Sequence, residues 1–416
     1  MSVISSIARE ILNAFFMNYF FIFLYVLVII FIRAQYEKYS ELQGEIYGSP
    51  KKSMREITEE IILTGLLAGF AGSLVIVTAG IAIDPVAVRY LFYIMCLLLL
   101  VNIRFLCISY AGGILSALVL IFNYPRTDVA SILGLVAVLH IIESLLIYLN
   151  RDNDSTPVFI KHRNDIAGAY LIRKFWLVPV VFLTFIAQGV AGGLQDFSVA
   201  LWMPFRTDFA ATGAYALGLD CLVAVMCYSD LAVTKHPERK SRETSYRVLV
   251  YGLTLLVLSI LSLHTQWLKY VGAVFCIAAH EGIYLYGKYS ERNGTPLFNP
   301  VRRGLRVLEV LPKSHADKMG VHRGDIILSV NGRDIQSDEG VNAALLEYPT
   351  FVWVELKTWD GTDKTCEYWC YPDGCERLGI ISVPREKDVT YNTDRFEHMS
   401  IIKNIVTRFR GINRSV

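Results

Sequence analysis

Before about residue 290 the chain is written in long, nearly uncharged apolar runs, and no other feature restricts its fold as severely. A helix needs ~20 apolar residues to cross the hydrocarbon of a bilayer, so each run is measured against that length. Helical spans are expected over residues 15–33, 61–83, 90–103, 105–123, 129–149, 174–195, 209–229, 247–263 and 267–287. The run from Tyr90 to Phe122 is too long for one crossing and carries Asn102 and Arg104 near its middle, so it is divided into a hairpin turning at Arg104. Ahead of these, residues 1–14 place Val3, Ile4, Ile7, Ile11 and Leu12 at helical spacing. That pattern predicts an amphipathic interfacial helix or an extension of the first span, leaving 15–290 as a polytopic transmembrane domain.

Net charge is only +2, which implies no bulk attraction to nucleic acid, so the placement of the charges matters more than their sum. Arg33, Lys38, Lys51, Lys52 and Arg55 lie between the first two spans. Arg151, Lys161, Arg163, Arg173 and Lys174 lie between the fifth and sixth, and Lys235, Arg239, Lys240, Arg242 and Arg247 between the seventh and eighth. Nine spans put all three basic segments on one side, as the positive-inside rule asks, whereas eight would set the first against the others. The carboxyl-terminal part is then expected in the cytoplasm of a multi-pass plasma-membrane protein. The first apolar run lacks a small-residue cleavage site, so no cleavable signal peptide is expected. The eight cysteines are scattered and form no disulfide framework, and the spacing of Cys366, Cys370 and Cys375 is not that of a zinc site. No metal or other cofactor is expected, and homo-oligomerisation is left open.

From Gly304 to Asn331 the pattern changes. An alternating strand (Leu305, Val307, Val310) leads into Pro312-Lys313-Ser314, a turn with an N-cap serine, and then one helical turn closed by Gly320. Gly324-Asp325 opens a second strand, which ends in the tight turn Asn331-Gly332. A helix over Asp338 to Leu346 follows, then strands at Phe351 to Thr358 and Lys364 to Trp369. This order of turns and strands resembles a bacterial PDZ domain, placed at 299–386 behind a linker with Gly294, Pro296 and Pro300. Residues 387–416 form a polar, weakly amphipathic tail, with a frayed terminus favoured over a segment lying on anionic lipid. The fold class expected is a membrane all-α helical bundle of about nine spans followed by a small α+β PDZ domain.

PDZ domains capture an extended peptide as an added strand beside a helix. The resemblance implies an apolar-Gly-apolar loop opening the groove strand, and none precedes Gly304. One occurs late, at Leu378-Gly379-Ile380 followed by Ile381 and Ser382, which predicts a circularly permuted domain. The groove would run between that strand and the helix, with Val341 and Leu345 facing it. The competing reading is a closing strand already paired on both edges.

Ionisable residues at membrane depth are costly and draw attention to His140 and Glu143, one helical turn apart, and to His280 and Glu281, with Asp220 in another span. A metalloprotease helix would need H-E-x-x-H, but the second histidine position is Tyr284, so no complete catalytic motif is present. Mutual satisfaction between packed helices is favoured over a composite site.

Several segments together resemble the MinJ-type polytopic membrane proteins of Firmicutes, which carry a C-terminal PDZ domain. They are RFLCISYAGG from Arg104, LHIIESLLIYL from Leu139, KFW from Lys174, HEGI from His280, and the PDZ block closing in LGIISVP. The resemblance implies a membrane-embedded adaptor in division-site placement, linking a polar DivIVA-like scaffold to MinC and MinD. The alternative is an intramembrane metalloprotease-like enzyme or a transporter with a regulatory PDZ domain.

Overall fold

The computed structural model describes residues 3–125, 127–151, 155–163, 165–187, 205, 215–347, 350–372 and 374–385. A first helix, α1 (Val3–Met17), buries Ile7, Ile11 and Ala14 and is separate from α2 (Tyr19–Tyr47). Asn18 divides them, because its side chain accepts from the Phe21 amide and caps the second helix. The amphipathic segment is therefore a helix of its own and not an extension of the first span. Ser53 and Glu56 form a reciprocal capping box that starts α3 (Met54–Ala79). After the short strand β1 (Ala82–Ile83) come α4 (Pro85–Val101) and α5 (Ile108–Phe122), with a tight turn of 3-10 helix at Ile103–Leu106 between them. The break falls at Arg104, as the charge there predicts.

Next come α6 (Val129–Leu149), the strands β2 (Ser155–His162), β3 (Asp165–Ala187) and β4 (Tyr215–Ala232), and the helices α7 (Pro237–Ser262) and α8 (Gln266–Asn293). This corrects the all-α expectation. Residues 174–195 and 209–229 were expected as helical spans, yet 174–187 and 215–229 run as antiparallel partners within β3 and β4. The apolar runs are rich in Val, Phe and Leu, and periodicity cannot separate a continuously buried strand from a buried helix. Among the described residues, α2, α3, α6, α7 and α8 are long and apolar enough to cross a membrane, whereas α4 and α5 are shorter. Two of the nine expected helical spans are thus strands among the described residues.

The hairpin of β3 and β4 lies at the centre, and Leu177, Val178, Val180, Val181 and Phe182 are fully buried. Buried strands need partners for every edge amide. On its first stretch β3 pairs with β2, and near its end with β1. Between these, the Phe175 amide donates to the Tyr36 hydroxyl (3.3 Å) and the Val181 amide to Ser73 Oγ (2.8 Å), while Pro179 has no amide hydrogen. Helix α3 reaches this edge through Gly65 and Gly69, whose missing side chains leave room for the carbonyls of Leu177 and Pro179.

The three basic segments meet at one end. Tyr39 donates to the Leu171 carbonyl, Gln43 to Thr156, Lys51 to the Ser155 carbonyl, Arg163 to the Asn293 carbonyl and Lys240, from the third segment, to Glu291 beside it. The C-terminal unit sits at that same end. It comprises β5 (Leu305–Val310), α9 (His315–Lys318), β6 (Ile326–Val330), β7 (Arg333–Asp334), α10 (Asp338–Glu347), β8 (Phe351–Lys357), β9 (Asp363–Trp369) and β10 (Ile380–Ser382). The sheet order is β10-β5-β6-β8-β9, with β7 paired to β6. Its core holds Leu305, Val307, Ala316, Ile327, Val330, Val352, Val354 and Leu356. The expected tail, 387–416, lies outside the described residues.

Adding one methyl group at Gly65 or Gly69 would drive it into the strand backbone. Gly65→Ala and Gly69→Ala are each expected to cost about 1–3 kcal/mol, seen as a lower unfolding midpoint of the full-length protein in detergent. Gly282→Ala, in the interior of α8 where an added Cβ meets nothing within 4 Å, should leave the midpoint unchanged or raise it slightly. Equal midpoints for all three variants would disprove the close helix–strand contact.

Candidate functional site

At the C-terminal unit the site is built from an edge strand. Gly379 takes φ +82, and an added Cβ would collide with Ser314, so only glycine fits this turn. The Leu311 amide donates to the Gly379 carbonyl (2.9 Å) and the Ala316 amide to the Leu378 carbonyl (2.9 Å), which pins the turn against the start of α9. From there β10 pairs antiparallel with β5, Ile380 opposite Val310 and Ile381 opposite Glu309, before an irregularity brings Ser382 opposite Val307. The Gly379 carbonyl and the Val383 amide, which donates to the Arg306 carbonyl, face β5. Strand alternation then turns the backbone groups of Ile380 and Ser382 to the other edge. No strand among the described residues occupies that edge, so β10 is not paired on both sides. The Ser382 hydroxyl lies 2.7 and 2.8 Å from the two Asp338 oxygens, tying the strand to the first turn of α10.

The side chains differ from expectation in one respect. Val341 and Leu345, expected to face a groove, are buried in the domain core, because α10 turns its apolar face onto the sheet. Leu378 is buried there too, and Ile380 packs on that core, whereas Ile381 packs on the core of the membrane region. Nearby, His315, Cys370 and Cys375 bring ligand-type atoms within 4.8 Å of one another, a proximity that sequence spacing does not show. Burial pushes both thiols up, Cys375 to about 12, so they hold their protons at neutral pH.

The second constellation lies among the apolar helices. His140 on α6 and His280 on α8 have ring centroids 5.4 Å apart. Cys107, at the start of α5, has its sulfur 3.2 Å from His140 Nε2 and 3.3 Å from His280 Nε2. Glu143 Oε2 lies 3.6 Å from His140 Nε2. Glu281 points elsewhere: Arg104 Nη2 contacts both its oxygens at 2.8 and 2.9 Å, and Tyr110 donates to it at 2.6 Å. The Arg104 guanidinium also lies 4.1 Å from the centroid of Tyr284, the residue that stands where a metalloprotease helix would carry its second histidine. A carboxylate held by an arginine and a phenol is poorly placed to act as a free base. Asp220 is separate, on β4 near Glu10 of α1.

Structure therefore brings His140, Glu143 and His280 together and assigns Glu281 to Arg104. Sequence reasoning missed Cys107, Ser109, Tyr110 and Tyr251, and the one signal available was the charge of Arg104 in an apolar run.

Comparison with known proteins gives two matches. The PDZ domain family model matches residues 306–347. The chain is also similar to the cell division topological determinant MinJ of Bacillus subtilis (strain 168), with 26% identity over 272 residues, 62% of this chain and 62% of that protein. The match thus spans less than two thirds of that relative's length.

A double-mutant cycle at Arg104 and Glu281 should show a coupling of about 1 kcal/mol, toward the low end for contacting residues, because the side chains remain 31% and 28% exposed. Additive effects on the unfolding midpoint would show that the pair does not interact.

Proposed function

We propose that this chain is a non-enzymatic membrane adaptor whose PDZ domain takes an extended segment of a partner protein as a strand added to β10. The observation that carries this reading is the edge of β10 beside α10 that no described strand pairs, with the backbone groups of Ile380 and Ser382 directed to it. Added strands gain affinity from main-chain hydrogen bonds, and the neighbouring helix supplies a wall for side chains. Because the groove strand follows the rest of the sheet in sequence, the domain is a circularly permuted PDZ domain.

The similarity to MinJ supports a role in division-site placement. In that reading a DivIVA-like polar scaffold and the MinC/MinD inhibitor are the partners, and the PDZ domain faces the cytoplasm of a multi-pass plasma-membrane protein. The convergence of the three basic segments at the PDZ end supports that orientation. The second reading, an intramembrane enzyme or transporter, has less support, because Glu281 is engaged by Arg104 and Tyr110.

The test should leave Gly379 untouched, since any side chain there strikes Ser314 and disturbs the turn itself. A photo-crosslinking amino acid at Ile380 of the full-length protein in cells is expected to capture a DivIVA-like or MinD-like protein. The same group at Trp369, on the exposed β9 edge of the sheet, should not. Deleting residues 299–386 should leave the chain in the membrane and disperse the captured partner. Equal capture at both edges, or partner localisation unchanged by the deletion, would refute the proposal.

A further inference from the structure

We propose that Cys107, His140 and His280 form a zinc site that joins α5, α6 and α8 inside the apolar helical region. The sulfur and the two imidazole nitrogens all lie within 4.8 Å of one another. Zinc bonds of about 2.3 Å to sulfur and about 2.0 Å to imidazole give tetrahedral sulfur–nitrogen edges of about 3.5 Å. The observed edges are 3.2 and 3.3 Å, and Glu143 Oε2, 3.6 Å from His140 Nε2, lies outside this group.

The hydrogen-bond directions point the same way. His140 Nδ1 lies 2.7 Å from the Val136 carbonyl, which can only accept, so Nδ1 carries the hydrogen and Nε2 presents a lone pair to the site. An imidazole with its other nitrogen held by a backbone carbonyl is the usual arrangement of a metal ligand. Ser109 Oγ lies 3.0 Å from the same Nε2 and 2.7 Å from the Tyr251 hydroxyl, and Tyr251 donates to the Cys276 carbonyl (2.9 Å), so with zinc on Nε2 the Ser109 hydrogen turns to Tyr251. His280 Nδ1 has no hydrogen-bond partner among the described residues.

Charge decides between cations. A thiolate with two neutral imidazoles carries one negative charge and the Glu143 carboxylate beside His140 a second, so one divalent ion makes this cluster neutral, as a low-dielectric region demands. Mixed sulfur and nitrogen donors suit zinc better than magnesium or calcium. The three ligands come from three helices, so the ion would hold those helices together, and the site stands apart from the PDZ reading. Cys107 is free for this role because its side chain makes no capping bond at the start of α5.

Full-length protein, purified without chelator from cells supplied with zinc, is expected to contain about one zinc per chain by mass spectrometry of total metal. Cys107→Ala and His280→Ala should each lower the content at least tenfold, while His315→Ala with Cys370→Ala retains it. Cobalt replacing zinc in the wild-type protein should show the intense ligand-field bands of a tetrahedral site and a thiolate charge-transfer band, a readout that needs no mutant to fold. Substoichiometric metal in the wild type, or loss that follows His315 and Cys370 instead, would overturn the proposal. So would another metal in zinc's place, or a cobalt spectrum without a thiolate band.

Discussion

Every backbone amide of a strand held among apolar helices must find a partner within the protein, and the rest of this structure depends on how β3 meets that demand. Water cannot fill the gap at such a place, and an unpaired amide there costs several kcal/mol. The chain answers with three devices along one edge. Pairing with β2 and β1 covers the two ends, hydroxyls of Tyr36 and Ser73 take the amides of Phe175 and Val181, and a proline at 179 removes one donor. Small residues on α3 then let the helix lie against the carbonyls. A helix that looks built to pack on another helix is therefore packed on a strand.

The same hairpin carries the C-terminal domain. Its β5 pairs irregularly with β10, and the Leu308 carbonyl accepts a hydrogen bond from Tyr170 on β3. Gly168 donates to the Phe298 carbonyl (2.8 Å) just ahead of the domain, and Leu308 and Val383 belong to the core of the membrane region. The strand next to the proposed peptide edge is thus joined to the central hairpin through one residue. Membrane anchoring and the proposed partner capture would share a connected set of hydrogen bonds, which suits the proposed adaptor role.

Within the helices, polar groups are sorted into two sets by the break at Arg104. The break directs Arg104 to Glu281 on one side and leaves Cys107 facing His140 and His280 on the other. An uninterrupted helix over that run would have placed its charge in hydrocarbon without a partner.

Much of this was legible in the residues themselves. Turn chemistry at Gly320, Gly324 and Asn331-Gly332 located the C-terminal strands, because few residue types tolerate those backbone angles, and Ser314 marked a helix start by its capping side chain. Hydropathy located α2, α3, α6, α7 and α8, since their length matches the bilayer, and a charge located the break between α4 and α5. It could not tell that residues 174–187 and 215–229 are strands, because a run buried on every side has no period. Nor could spacing along the chain predict that Val341 and Leu345 turn inward, or that Cys107 lies against histidines from two other helices. Local backbone preference and apolar length are written residue by residue, and so the sequence by itself determined the elements they specify. Which edges, lone pairs and charges meet depends on groups far apart in the chain, and only the tertiary structure decided that.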